Sequence, residues 1–257
     1  MEAVEKLKQK ETKEEKKKPD EMSFLEHLEE FRWRILYIIV GIFLGTIISW
    51  IFIDFLVEQI LLLPAHKANI NLQNLKPFGQ LFLFFQVAVI GGFILSIPNV
   101  FYQIWQFIVP ALNENEKKYI GRIVFFSSLC FLSGIVFAYF IMLPLTLAFA
   151  GQFGTTAIEN NFAIDEYFSI IISVMLAAGF IFELPMLSFF LSRIGILTPD
   201  FMKKYRRHSI VAILIIAAVL TPGTDPLAQV ILAIPLVLLY EISIFVSKFS
   251  QKKYIET

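Results

Sequence analysis

Ser23-Phe24-Leu25-Glu26-His27-Leu28-Glu29-Glu30-Phe31-Arg32-Trp33-Arg34 runs directly into residues 35–53, a stretch without a single charge. Nineteen residues at 1.5 Å each match a hydrocarbon core of about 30 Å, so this run reads as a transmembrane helix. Its start is written in the residues before it. Ser23 and Glu26 form a capping box, in which hydroxyl and carboxylate each satisfy an orphan N–H. The helix therefore begins in water, carries acids and arginines through its first turns, and then enters lipid. Glu30 and Arg34 share a face at i and i+4. Two readings stand side by side: a self-paired interfacial ion pair, or a carboxylate at the membrane surface that receives a guanidinium from elsewhere.

The composition agrees with a membrane protein. Of 257 residues, 57% are hydrophobic, 28 are Phe and only 17% are charged, against about a quarter charged in soluble domains. Net charge is zero, which gives no bulk field toward nucleic acid. The lone Cys130 excludes an internal disulfide. Residues 1–21 hold seven Lys and seven acids, a mixed-charge tail with too little apolar surface to fold alone. The first apolar run is too long for a cleavable signal peptide.

Further spans lie downstream. Residues 54–76 read as an exposed loop. Residues 77–113 are uncharged throughout, too long for one upright helix and too short for two spans with a turn. They read as one helix bent at Pro98 and running past the bilayer surface through Tyr102 and Trp105. Residues 123–143 form a third span ended by Pro144, and 144–166 an apolar-rich capping loop. Residues 167–192 form a fourth, with Glu183 inside it. Thr198-Pro199-Asp200 marks a helix start. Two short spans, 209–220 and 227–246, complete six helices and imply local thinning of the bilayer. Twenty of the twenty-two Lys and Arg fall on one side of that alternation, which places both termini in the cytoplasm. The fold expected is an all-α integral membrane protein: a charged tail at 1–21, a six-helix domain at 22–247 and a short tail at 248–257.

Glu183 is the costliest residue, about ten residues from Arg193 and hence roughly 15 Å deep. It either hydrogen-bonds backbone freed by Pro185 or meets a polar partner or proton within the membrane. Glu116, three residues after Asn113, is either a helix-capping acid or a functional one. The three histidines lie apart with no metal-ligand spacing, and neither a phosphate loop nor a nucleophile elbow occurs. Enzymatic chemistry is not indicated and no cofactor or metal is expected. A proton-coupled solute transporter would need a second buried polar cluster, which the sequence does not offer. A passive anchor would not need Glu183.

Several segments occur in order: Leu25 with Glu30-Phe31-Arg32-Trp33-Arg34; Tyr102-Gln103-Ile104-Trp105-Gln106-Phe107-Ile108-Val109-Pro110-Ala111-Leu112 with Glu116; Phe137-Ala138-Tyr139-Phe140 with Pro144; Phe182-Glu183-Leu184-Pro185; and Thr221-Pro222 with Asp225 and Gln229. Over about 22–247 the chain resembles the TatC family, core subunits of the twin-arginine protein translocase. The resemblance implies a concave, glove-like six-helix wall in the bacterial cytoplasmic membrane that binds Tat signal peptides of folded cargo. Glu30 and Glu116 would bind the paired arginines, supported by Leu25, Arg32, Arg34, Phe107 and Pro110. Glu183 would meet single-span TatA- or TatB-type subunits. Asp225 and Gln229 would belong to a periplasmic turn and the last helix. Other TatC copies would be partners, and the proton-motive force the energy source.

Overall fold

A computed structural model describes residues 24–68, 70–108, 117, 120–152, 161–220 and 226–255. Helix α1 (Phe24–Ile51) leads into a widened π-type segment, Phe55–Leu61, and the short α2 (Leu63–Lys67). Strand β1 (Asn71–Gln73) comes next, then α3 (Gly79–Leu95) and α4 (Ile97–Ile108). Helix α5 (Ile120–Phe137) passes through a π turn at Ala138–Met142 into α6 (Leu143–Gln152). Strand β2 (Asn161–Ala163) precedes α7 (Ile164–Ile181) and α8 (Leu184–Arg193). The chain closes with α9 (Pro199–Lys204), α10 (Arg206–Leu220) and α11 (Pro226–Ile255).

Among the described residues, four helices are long and apolar enough to cross a membrane: Leu25–Ile51, Ile120–Ala148, Ile164–Arg193 and Ala233–Ser250. The pair α3 and α4, bent by 55° at a short break around Ser96, makes a fifth if counted as one span. At fifteen residues, α10 is only about 22 Å long, short of the roughly 30 Å hydrocarbon core.

Two expectations about the connecting segments require correction. Residues 54–76 are not a free loop. Val57, Leu61, Ala65 and Ile70 are buried in the main core, and tyrosines from other helices tie the backbone down. Tyr167 Oη donates to the Leu61 carbonyl at 2.8 Å and accepts from the Ala65 amide at 3.1 Å. Tyr139 Oη donates to the Ile60 carbonyl at 2.9 Å. Buried backbone must find partners, and the phenols supply them. Nor does Pro144 end the third span. The π turn just before it loosens the i→i+4 ladder where the proline ring would clash, so the helix continues to Gln152.

The departure from an all-helical chain, among the described residues, is a parallel pair of three-residue strands, Asn71↔Asn161, Leu72↔Phe162 and Gln73↔Ala163. Lys76 makes an ion pair with Asp165 beside it. That hydrogen bond raises the Lys76 ammonium above the usual lysine range.

Lipid offers no hydrophobic drive between helices, so close packing and small residues hold the bundle. At the α5–α7 crossing, a Cβ on Gly134 would lie 2.6 Å from the Ala178 carbonyl and 2.9 Å from Gly179 Cα. Only hydrogen fits there. Between α8 and α11 the approach is made by serines. Ser192 Oγ and Ser247 Oγ are 2.5 Å apart, and Ser250 Oγ donates to the Phe189 carbonyl at 3.1 Å. The last helix carries Pro235 within it and continues past residue 247 to Ile255.

Candidate functional site

The start of α1 and the length of α4 meet through a ladder of polar groups. Ser96, at the break just before α4, and Asn99 and Gln103 on it stand on one face at i, i+3 and i+7. Ser96 Oγ donates to the Gly41 carbonyl at 2.6 Å, and Asn99 Nδ2 to the Tyr37 carbonyl at 3.2 Å. One turn further, Arg34 Nη1 donates to Gln103 Oε1 at 3.1 Å, and Gln103 Nε2 to Asn99 Oδ1 at 3.4 Å. Gln103 is only 8% exposed, so its amide is held rather than solvated.

Arg34 also holds Glu30. Its Nη2 and Nε both donate to Glu30 Oε1, at 2.8 and 3.3 Å. The self-pairing allowed by the i,i+4 spacing is therefore present, but on one oxygen. Glu30 Oε2 is buried and has no hydrogen-bond partner among the described residues. A buried carboxylate oxygen of this kind accepts a donor strongly, because the desolvation cost is already met. Beside it lies a shelf of rings. His27 stacks on Phe107 at 4.3 Å between centroids, and Phe31 leans on the same ring at 5.2 Å. Leu25 and Arg32 are exposed at the rim. Glu30, Arg34 and Phe107 are thus brought together, with Leu25 and Arg32 on the same first turns. Glu116, Pro110 and Asp225 lie outside the described residues.

Glu183 stands elsewhere, at the break between α7 and α8. It is 6% exposed, and its Oε1 has no partner among the described residues. As the residue before α8 it makes no capping bond to that helix. The carboxyl faces α5, within reach of the Ser127 side chain and the Phe131 backbone. Phe131 is also the ring that packs on Gly179, so the tight α5–α7 crossing positions the acid. Gln229 binds inward: its Nε2 donates to the Leu214 carbonyl at 2.9 Å, tying α11 to α10. Sequence alone assigned no role to Gln103 and Asn99. Their signal was two amides four residues apart inside an uncharged run, where each needs a partner.

The family profile described as Sec-independent protein translocase protein (TatC) matches residues 26–235. The chain belongs to the TatC family. The TatC protein of Aquifex aeolicus is 36% identical over 236 residues, covering 90% of this chain and 97% of that protein. The one from Blattabacterium sp. subsp. Periplaneta americana is 33% identical over 265 residues, covering 93% and 99%. A crystal structure of the twin-arginine translocase receptor TatC superposes with a TM-score of 0.77 at 37% identity, covering 88% of this chain and 99% of that one. Family membership makes this chain a subunit of the Sec-independent protein translocase, a multi-pass membrane protein of protein transport.

Proposed function

We propose that this chain is the signal-peptide receptor and scaffold of its translocase, binding the twin-arginine motif of folded export cargo. The observation that carries the reading is the half-occupied carboxylate: Arg34 fixes Glu30 by one oxygen and leaves the buried Oε2 without a partner among the described residues, on the helix turns that carry His27 and Phe31 against Phe107. A guanidinium can donate there while its flanking apolar residue rests on the rings. Glu116 takes the second arginine. Leu25, Arg32 and Pro110 shape the same cytoplasmic rim, and Arg34 orients Glu30. The wall has six spans, with α10 as the short fifth, a concave face and both termini in the cytoplasm of a bacterium. Glu183, aimed at α5 with one oxygen unpaired, is the contact for a polar group on a TatA- or TatB-type helix. Asp225 and Gln229 belong to the periplasmic turn and the last helix, and further TatC copies complete an assembly driven by the proton-motive force.

Charge reversal tests the receptor reading. Glu30→Lys or Glu116→Lys should abolish site-specific crosslinking to a twin-arginine signal peptide. Equal crosslinking of a twin-lysine peptide to the unaltered protein would overturn it. Glu183→Ala should weaken association with the TatA-type subunit while signal binding persists; unchanged assembly would leave Glu183 with a packing role only.

A further inference from the structure

At the end of the bundle that holds Arg193, α9 and α10 set four cations within five residues: Lys203, Lys204, Arg206 and Arg207. Two are committed. Arg206 Nη2 donates to Glu241 Oε2 at 2.7 Å, and Lys203 Nζ lies 3.5 Å from Asp200. The other two are not. Lys204 Nζ stands 5.9 Å from the Tyr205 ring centroid, and Arg207 is exposed with no ion pair among the described residues. Asp200 and Glu241, the acids that α9 and the facing part of α11 contribute, are both taken. Among the described residues, a surplus of two positive charges remains between positions 204 and 207.

Beyond Arg207 the same helix face is apolar and outward. Val211 and Ile215, one and two turns on, are 56% and 60% exposed. Phe201 and Tyr205, on α9 and just after it, are exposed as well. Because α10 is only about 22 Å long, the bilayer must thin against it, which draws headgroups toward its ends. A basic end above an apolar face has the polarity of a single phospholipid.

We infer that this edge binds an anionic phospholipid, with the phosphate at Arg207 and Lys204 and an acyl chain along Val211 and Ile215. The charge selects the lipid class, and the apolar face selects a lipid over a free anion. Arg207 contributes donors in a planar fork that suits phosphate, while Lys204 adds a point charge. A zwitterionic lipid such as phosphatidylcholine also brings a phosphate, but its own ammonium offsets that charge, so it supplies the two cations with no net counter-charge.

The test uses the full chain in detergent micelles, titrated with phosphatidylglycerol and phosphatidylcholine of identical chains and read by native mass spectrometry. Each uncommitted cation near a lipid surface is worth about a factor of five. The expected preference for phosphatidylglycerol is therefore about thirty-fold. K204Q/R207Q should bring it near parity, whereas K204R/R207K should retain it, which separates charge from folding. K67Q, on the opposite end, should leave it unchanged. V211S/I215S should lower retention of long-chain phosphatidylglycerol but not of its dihexanoyl form. Parity in the unaltered protein, a preference that survives K204Q/R207Q, or equal competition by inorganic phosphate would each overturn the inference.

Discussion

Replacing Gly134 with alanine asks how much of the fold depends on one close approach. The added methyl would meet the Ala178 carbonyl oxygen at 2.6 Å and both Gly179 Cα and Phe182 Cβ at 2.9 Å. Two of those three atoms are backbone, so no side chain can swing aside and α5 must move off α7 by several tenths of an ångström. Overpacking of this kind costs about 1–3 kcal/mol, offset by about 1 kcal/mol that alanine gains over glycine in a helix. The net loss is up to about 2 kcal/mol. At roughly 2–4 °C per kcal/mol for a chain of this size, the midpoint falls by up to about 8 °C. The same helix supplies a control: a Cβ on Gly121 meets nothing within 4 Å. Gly121→Ala should hold or raise the midpoint by a few degrees. The assay is thermal unfolding of the two variants in one detergent, followed by the loss of monodisperse protein. Equal shifts for both would show that the crossing does not limit stability, and the packing argument would fail. Because Ser127 and Phe131 reach Glu183 from α5, Gly134→Ala should also disturb that carboxyl, whereas Gly121→Ala should not.

Other outcomes rest on the same geometry. Glu30→Gln keeps the shape but replaces a charge-assisted hydrogen bond with a neutral one, a loss of about 1–1.5 kcal/mol; twin-arginine peptide affinity should fall about ten-fold by titration calorimetry. Ser192→Leu should lower the midpoint by about 1–3 kcal/mol equivalent, since Ser192 and Ser247 touch at 2.5 Å, while Ser192→Ala should cost under about 1 kcal/mol. Glu241→Gln should change stability by less than about 1 kcal/mol, because its pair with Arg206 is exposed. The raised Lys76 ammonium contributes stability that is complete below the ordinary lysine range and is lost as pH rises through its folded value. Unfolding midpoints should therefore show no Lys76-dependent change between pH 6 and 9, and a difference from Lys76→Met that shrinks only in stronger alkali.

Four of the spans, and a fifth as the bent pair, were legible because uncharged runs of the right length leave few alternatives, and the Glu30–Arg34 contact because an i,i+4 pair is local; the capping Ser23 lies outside the described residues. Glu183 announced itself by its cost in an apolar segment. Whatever depends on a distant partner escaped. Arg34 reaches Gln103 across 69 positions, and nothing near either residue specifies the other. Tyr167 anchors residues 61–65 across a hundred or so positions, which turned an apparent loop into core. Pro144 misled for another reason: a proline reports a missing N–H and a bulky ring, not whether the preceding turn has widened to make room. The half-occupied state of Glu30 lay between the two readings that its spacing allowed.

The strand pair has a consequence for biogenesis. Residues 71–73 and 161–163 are joined side by side in register, yet about ninety residues of chain separate them, including the bent pair and the helix after it. As the chain emerges from the ribosome, the first strand must wait until the bent pair and the long apolar helix after it have been made before its mate arrives. The latch on that face therefore cannot click shut until about two-thirds of the chain is made, and the helices from Ile164 onward assemble against a pair already able to close.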